Sequence, residues 1–586
     1  MTSQVEYKVH INDRSYQEWT FYTVADFQKV ELSIIPTDHK LFTNDIFTFN
    51  ADINSSSIIH SNIRNHNAIP CVLILKNNKT YGRSTTGANK LLYKCIPDDT
   101  SLPTFLVPYE IKNVGFSKVF ENLYVIIQFK EWLNKHPVGA LLEVIGPVDV
   151  LANFYEYQLY CKNLNISIQK FNKETIASIK KYCHHDYSSA ICANYKYSNI
   201  EDRCHIPVFT IDPDTCTDFD DAFSIEIIDN NITMLSIYIS NVTILIDNLD
   251  LWDAFSKRVS TIYLPDKKRP MLPNILSDGM CSLKAGEIRI AFVMDVFING
   301  DGEIIEIKHS NCKINVTKNY CYEEPILLTN NLYIDLFYIT KKLSHKYRYM
   351  KNIKDSHDVV AYLMILMNYY TAKELLKNGN GLFRSTILNN AVHIPEDMEL
   401  PEEVSNFMKI WNSSAGQYID ASKLKEDQTL SHDLLEMDAY VHITSPIRRL
   451  PDLLNILQFQ QNTGIIKLSE NADKFLQKWL SKVDYINTTM RSIRRVQNDC
   501  SLLHLCSTNT EVMNKEYDGY AFDKIVRSDG LFQFNVYLPE LRLTTKLILR
   551  DNLEQNIENY KKSTYKLFVF NNEEKFKKKI RLQLVV

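Results

Sequence analysis

No CxxC pair occurs among the twelve cysteines of this 586-residue chain, which removes the common zinc-finger and thioredoxin-like spacings. No run of eighteen apolar residues and no secretory leader is present either, so nothing reads as a membrane span or an export signal. These absences give the expectation of a reduced, cytoplasmic protein without a membrane partner. Positive charge is not in excess: 66 Lys and Arg against 70 Asp and Glu leave a net charge of −4, and the isoelectric point is near 6.4. A generally basic nucleic-acid binder is thereby excluded, and any such contact must come from locally placed cations. Internal repeats and low-complexity linkers are also missing.

What is present is ordinary core material, 45% hydrophobic and 23% charged, in a length that suggests about three or four domains. Residues 1 to about 165 alternate short runs such as ELSIIP, CVLILKNN and LYVIIQF with Asn, Asp, Pro and Gly, the pattern of small β-barrels. Helical periodicity appears at 359–376 and from Leu476 to Leu505, and alternation returns after about residue 512 in LFQFNVYL, TTKLILR and YKLFVF. The tail carries Lys575, Lys577, Lys578, Lys579 and Arg581, which suit phosphate contacts or a charged edge strand equally. Cys183, His184, His185, Cys192, Cys204 and His205 are metal-ligand types, but their spacings match no common finger.

Residues 208–226, VFTIDPDTCTDFDDAFSIE, put Asp212, Asp214, Asp218, Asp220 and Asp221 within ten positions, between two apolar strand-like runs. Carboxylates so crowded repel unless cations lie among them. A hard, oxygen-ligated ion such as Mg²⁺ is the simplest neutraliser, and it also binds substrate phosphate. An EF-hand register fails from Asp212, where Thr217 takes the place of glycine, and from Asp218, where Phe223 does. A solvated acidic turn is the competing reading, and composition leaves it open.

TIDP followed by DxDDA resembles the signature of the ribonuclease II/R family, which includes the catalytic subunit of the eukaryotic exosome. YVHITSPIRRLPDLLN at 440–455 resembles that family's YTHFTSPIRRYADL. RVSTIYLPDKKRPMLPNILSDGMCSLKAGEIR at 258–289 resembles a third block. The layout is most similar to the exosome type without its N-terminal endonuclease domain.

The resemblance implies an α+β multidomain chain: cold-shock-like OB-type barrels over 1–85 and 86–170, a mixed α/β RNB catalytic domain with its entry linker over 171–510, and a C-terminal OB-type barrel over 511–586. It implies a processive, hydrolytic 3′-to-5′ exoribonuclease that degrades single-stranded RNA to nucleoside 5′-monophosphates with Mg²⁺ or Mn²⁺. Asp212, Asp218, Asp220 and Asp221 would hold the metal, with Asp214 a turn residue. Asp220 and Arg448 would be catalytic, and Tyr263, Tyr322, Arg448 and Arg449 would contact RNA. Without the resemblance, the arginines would be read as salt bridges and the tyrosines as core or surface aromatics.

Departures from the family pattern are Asn241 for an aspartate, Ala361 and Tyr362 for paired glutamates, Gln497 for a glutamate, Leu450 for a tyrosine and Leu434 for a glycine. They leave the four aspartates intact and bear on RNA grip, processivity or rate. The alternative they keep open is a catalytically weakened RNA-binding or scaffolding member of the family. Partners in an RNA-decay complex are not specified by the sequence.

Overall fold

The computed structural model describes every residue except 1–4, 66–67, 85–88, 112–119, 182–190, 192–198, 230, 351, 389–399, 415, 427, 528–529, 550–556, 573–575 and 586. The stretch carrying Cys183, His184, His185 and Cys192, and Lys575, thus lie outside the described residues. Two units are formed: Met1–Asn165, Leu264–Asp266 and Arg495–Val586 make the first, and Ile166–Tyr263 with Lys267–Arg494 the second.

In the first unit, five short strands between Glu6 and His60 form one sheet, and five between Ile69 and Pro147 form a closed barrel. Sheet membership therefore changes between His60 and Ile69, upstream of residue 85. Both share a core in which Phe42 stacks on Phe105, with ring centroids 6.0 Å apart, and packs on Trp132 at 4.8 Å. A third five-stranded sheet runs from Glu516 to Leu584. Its last strand, Lys577–Leu584, buries Ile580 and Leu582 on one face, and Lys577 is buried out of that phase. Lys577 is only 9% exposed. Its ammonium meets Asp98 Oδ1 at 2.7 Å and lies 5.3 Å from the Tyr157 ring centroid, so it is an internal clasp and not a phosphate contact.

The second unit is built on six strands. Ile304–Cys321 pairs with Val208–Asp212 on one side and with Ile288–Asn299 on the other, which closes five strands into a ring; Glu201–Asp202 adds to its outside. Phe223, Ile237, Phe292 and Met294 from the ring pack on Leu336, Leu363, Leu366 and Ile456 from helices. The helix Ser356–Lys377 starts where the Asp355 side chain accepts the Asp358 N–H. Leu450–Thr463 has Pro451 in its first turn and ends at Gly464, whose φ of 64° suits glycine. The periodicity from Leu476 to Leu505 is divided between two helices, Glu470–Leu480 and Val483–Thr508. At the break, the Ser481 hydroxyl turns back to the Lys478 carbonyl.

Candidate active site

The acidic segment is a loop between neighbouring strands. Asp212 ends Val208–Asp212, and Asp221 begins Asp221–Asp229. Antiparallel pairing of Phe209 with Phe223 brings the two strands together, so the intervening aspartates are gathered by local topology. Asp212, Asp218, Asp220 and Asp221 are each at most 9% exposed. Asp214 is exposed and accepts from the Cys321 thiol at 3.7 Å.

The other two motif blocks are stitched to each other here. The Thr261 N–H donates to the Arg448 carbonyl at 3.0 Å, the Ser260 hydroxyl donates to the same oxygen at 2.8 Å, and the Leu450 N–H donates to Val259 at 2.9 Å. The Ile447 N–H in turn donates to Asp220 Oδ1 at 2.9 Å, and Arg448 Nε to Asp220 Oδ2 at 3.1 Å. Residues more than two hundred positions apart in the chain thus become direct partners.

The four carboxylates divide into two pairs. Both oxygens of Asp220 are taken, as just described. Both oxygens of Asp218 are taken too: Lys268 Nζ donates to Oδ1 at 2.9 Å and the Tyr263 hydroxyl to Oδ2 at 3.0 Å. Asp212 Oδ2 and Asp221 Oδ2 are buried with no hydrogen-bond partner among the described residues. Among the described residues, no three His, Cys, Asp or Glu side chains are gathered as a finished metal cage.

Burial raises the Asp212 carboxyl to about 7, helped by the Asp220 charge. Burial likewise raises Asp220 to about 7 against the pull of Arg448, and Asp221 to about 8 with the Asp212 charge adding to it. Two open oxygens on carboxyls that resist ionising alone fit a hard divalent cation, which removes both the charge repulsion and the unmet lone pairs.

The arginines differ in employment. Arg448 Nη2 donates to Ser445 Oγ at 3.0 Å, its side chain remains 42% exposed, and Nη1 has no protein partner among the described residues. Arg449 Nη2 donates to the same Ser445 oxygen at 3.0 Å and to Asp452 Oδ1 at 2.8 Å, and Asp452 is fully buried. Tyr263 is 39% exposed. Tyr322 is half-buried, donates its N–H to the Asp212 carbonyl at 3.1 Å, and stacks on His357 with centroids 3.7 Å apart and planes 12° from parallel. One face of Tyr322 is therefore already covered.

Three site residues escaped the sequence reading: Lys268, Asp278 and His357. Lys268 also meets Asp278 Oδ1 at 2.7 Å and Thr217 Oγ1 at 2.6 Å. Its signal was the paired lysine in YLPDKKRPMLP, inside the third block. Asn241 is fully buried: it is 0% exposed, caps the helix Val242–Asn248, and donates Nδ2 to Asn311 Oδ1 at 2.7 Å. Tyr362 is fully buried and donates to the Tyr347 carbonyl at 3.0 Å. These two departures are answered within the core.

Comparison with known proteins gives three findings. An RNB domain matches residues 200–331 and 326–463. A ribonuclease R of Buchnera aphidicola is 27% identical over 323 residues, 44% of this chain and 44% of that protein, so the chain matches less than half the length of that relative. Among solved structures, Mycoplasma genitalium RNase R in complex with ribose-methylated single-stranded RNA has a TM-score of 0.66 at 15% identity, covering 99% of this chain and 100% of that one. Yeast Ssd1, described as a pseudonuclease, has a TM-score of 0.60 at 14% identity, covering 93% and 79%. The RNB match takes in all four buried aspartates and Arg448, so residues 200–463 of this chain carry an RNB domain.

Proposed function

We propose that the chain is a hydrolytic 3′-to-5′ exoribonuclease that acts processively on single-stranded RNA and releases nucleoside 5′-monophosphates. The observation that carries this reading is the open pair of buried oxygens on Asp212 and Asp221 beside a guanidinium with unused donors. Phosphodiester hydrolysis needs a charge-neutralised phosphate and a poised water, and a divalent ion held by Asp212 and Asp221 supplies both when bound. Arg448 holds a phosphate oxygen through its unused N–H groups. Asp220 fixes the Arg448 fork and orients it. Asp218, held by Lys268 and Tyr263, keeps that tyrosine and lysine in place beside the loop. Tyr263 and Tyr322 offer one aromatic face each to the terminal bases, a sequence-tolerant grip.

Support also comes from the Buchnera relative being a ribonuclease R and from the RNA bound to the Mycoplasma fold relative. The second reading, an RNA-holding protein that does not cut, is favoured by the saturation of Asp218 and by the pseudonuclease of similar fold. End-labelled single-stranded RNA incubated with Mg²⁺ separates them. Mononucleotide release lost in Asp220→Asn and in EDTA supports the enzyme. Release that survives the substitution removes the site assignment, and binding without cleavage selects the second reading.

A further inference from the structure

Arg384 lies on the strand Leu382–Ser385, directly opposite Tyr418 on Gln417–Asp420. Its guanidinium sits over the Tyr418 ring, 5.1 Å from the centroid, and Nη1 donates to the Gly416 carbonyl. The approach is close: a Cβ on Gly416 would lie 2.6 Å from Arg384 Nη2, so any larger residue there would displace the guanidinium. No carboxylate pairs with Arg384 among the described residues. A guanidinium held largely out of water without a counter-charge is costly.

The surroundings raise that cost. Burial lowers the Arg384 pKa, and the positive charges of Arg494 and Arg449 add to that shift. The two histidines beside it are kept neutral, since burial pushes His432 down to about 4 and His442 well below its usual range. The Tyr418 hydroxyl is engaged by His442 Nδ1 at 2.8 Å. Nearby carboxylates are already committed, Asp452 to Arg449 and Asp420 to Ser422 and Lys423.

Arg494 is placed by helix geometry. The Asn487 side chain clamps both the N–H and the carbonyl of Tyr418, at 2.7 and 2.8 Å. Arg494 follows seven residues later, two turns on and about 10 Å along the same face. It is exposed and has no partner among the described residues. Arg449 connects this cluster to the candidate active site, because it and Arg448 share the Ser445 hydroxyl. Arg448 and Arg449 therefore meet at Ser445, and Arg384 lies within electrostatic reach of both Arg449 and Arg494.

We propose that Arg384, Arg449 and Arg494 form a subsite for a backbone phosphodiester of the single strand whose end is held at Arg448. The subsite rests on the reading of the chain as an RNA-binding nuclease, and it extends that site along the strand. A bidentate guanidinium stacked on a tyrosine suits a phosphate oxygen pair in place of a base edge, so the contact is insensitive to sequence.

The test is equilibrium binding of labelled single-stranded RNA to the full chain in EDTA, over a range of potassium chloride concentrations. Wild type is compared with Arg384→Gln, Arg494→Gln and Arg384→Lys. Each Gln variant is expected to bind several-fold more weakly and to flatten the slope of log K against log salt by about 0.7, the value of one phosphate contact on a single strand. Arg384→Lys is expected to keep the slope, which also controls for folding. An unchanged slope in both Gln variants overturns the subsite. Thermal shift with inorganic phosphate adds a second arm: stabilisation of wild type with an unaltered RNA slope identifies a free-anion site and also overturns it. Cleavage of RNA in Mg²⁺ is scored separately. A flattened slope in a protein that never cuts leaves the subsite standing while the exonuclease reading falls.

Discussion

The hydroxyl of Tyr263 donates to Oδ2 of Asp218 at 3.0 Å while its ring remains 39% exposed. The same side chain can therefore serve the carboxylate and the RNA, and two substitutions separate the roles. Tyr263→Phe keeps the ring and frees Asp218. It is expected to leave RNA affinity within about twofold and to lower kcat roughly tenfold, the size of one hydrogen bond. Tyr263→Ala is expected to lose in addition about 1 to 3 kcal/mol of RNA binding. Binding curves and single-turnover rates check both.

Lys268 is the cation resident on Asp218. Its replacement by Met leaves a buried carboxylate short of a partner and frees Asp278 as well. The metal-free protein is expected to lose about 2 kcal/mol in urea denaturation. Mn²⁺ affinity measured by calorimetry is expected to rise, because Asp218 becomes available.

The raised carboxyls make a signed prediction for stability. Asp212 and Asp220 titrate at about 7 and Asp221 at about 8 in the folded chain, against about 4 when unfolded. The folded state holds these protons more tightly, so their contribution to stability is complete below about pH 4 and is lost as the pH rises through about 7 to 8. In EDTA, Tm is expected to fall over that interval, with a shallower fall in Asp221→Asn. Mg²⁺ is expected to raise Tm most at the alkaline end.

Asn241 tests whether a departure from the family pattern is structural. It donates to Asn311 and accepts from Thr243 in a neutral network that also includes Gln460. Asn241→Asp inserts a charge into a fully buried site. The expected cost is about 2 kcal/mol at neutral pH, smaller in acid, with RNA cleavage per folded molecule unchanged. Urea midpoints at two pH values and a rate normalised to folded protein check it.

The chain's β-rich ends and mixed centre were legible because strand alternation and helical period are local signals. The acidic loop was legible for the same reason, since five aspartates fall within ten positions. The division of those aspartates was not. Whether Asp218 is saturated depends on Lys268 and Tyr263, and whether Asp220 is saturated depends on Ile447 and Arg448, all brought in by tertiary pairing. Asn241 looked like a weakened RNA contact because sequence shows the substitution but not the core network that receives it. Arg384 carried no motif at all; its interest arises from burial without a counter-ion, which only packing reveals.

The buried ammonium of Lys577 makes the first unit's two sequence extremes answerable to each other. Trimming the final strand would strip Asp98 of its cation and uncover Tyr157, damage felt in a barrel finished more than four hundred residues earlier. A nascent chain cannot form that ion pair until Lys577 has been made, so proteolytic sensitivity around Asp98 should persist until Lys577 emerges.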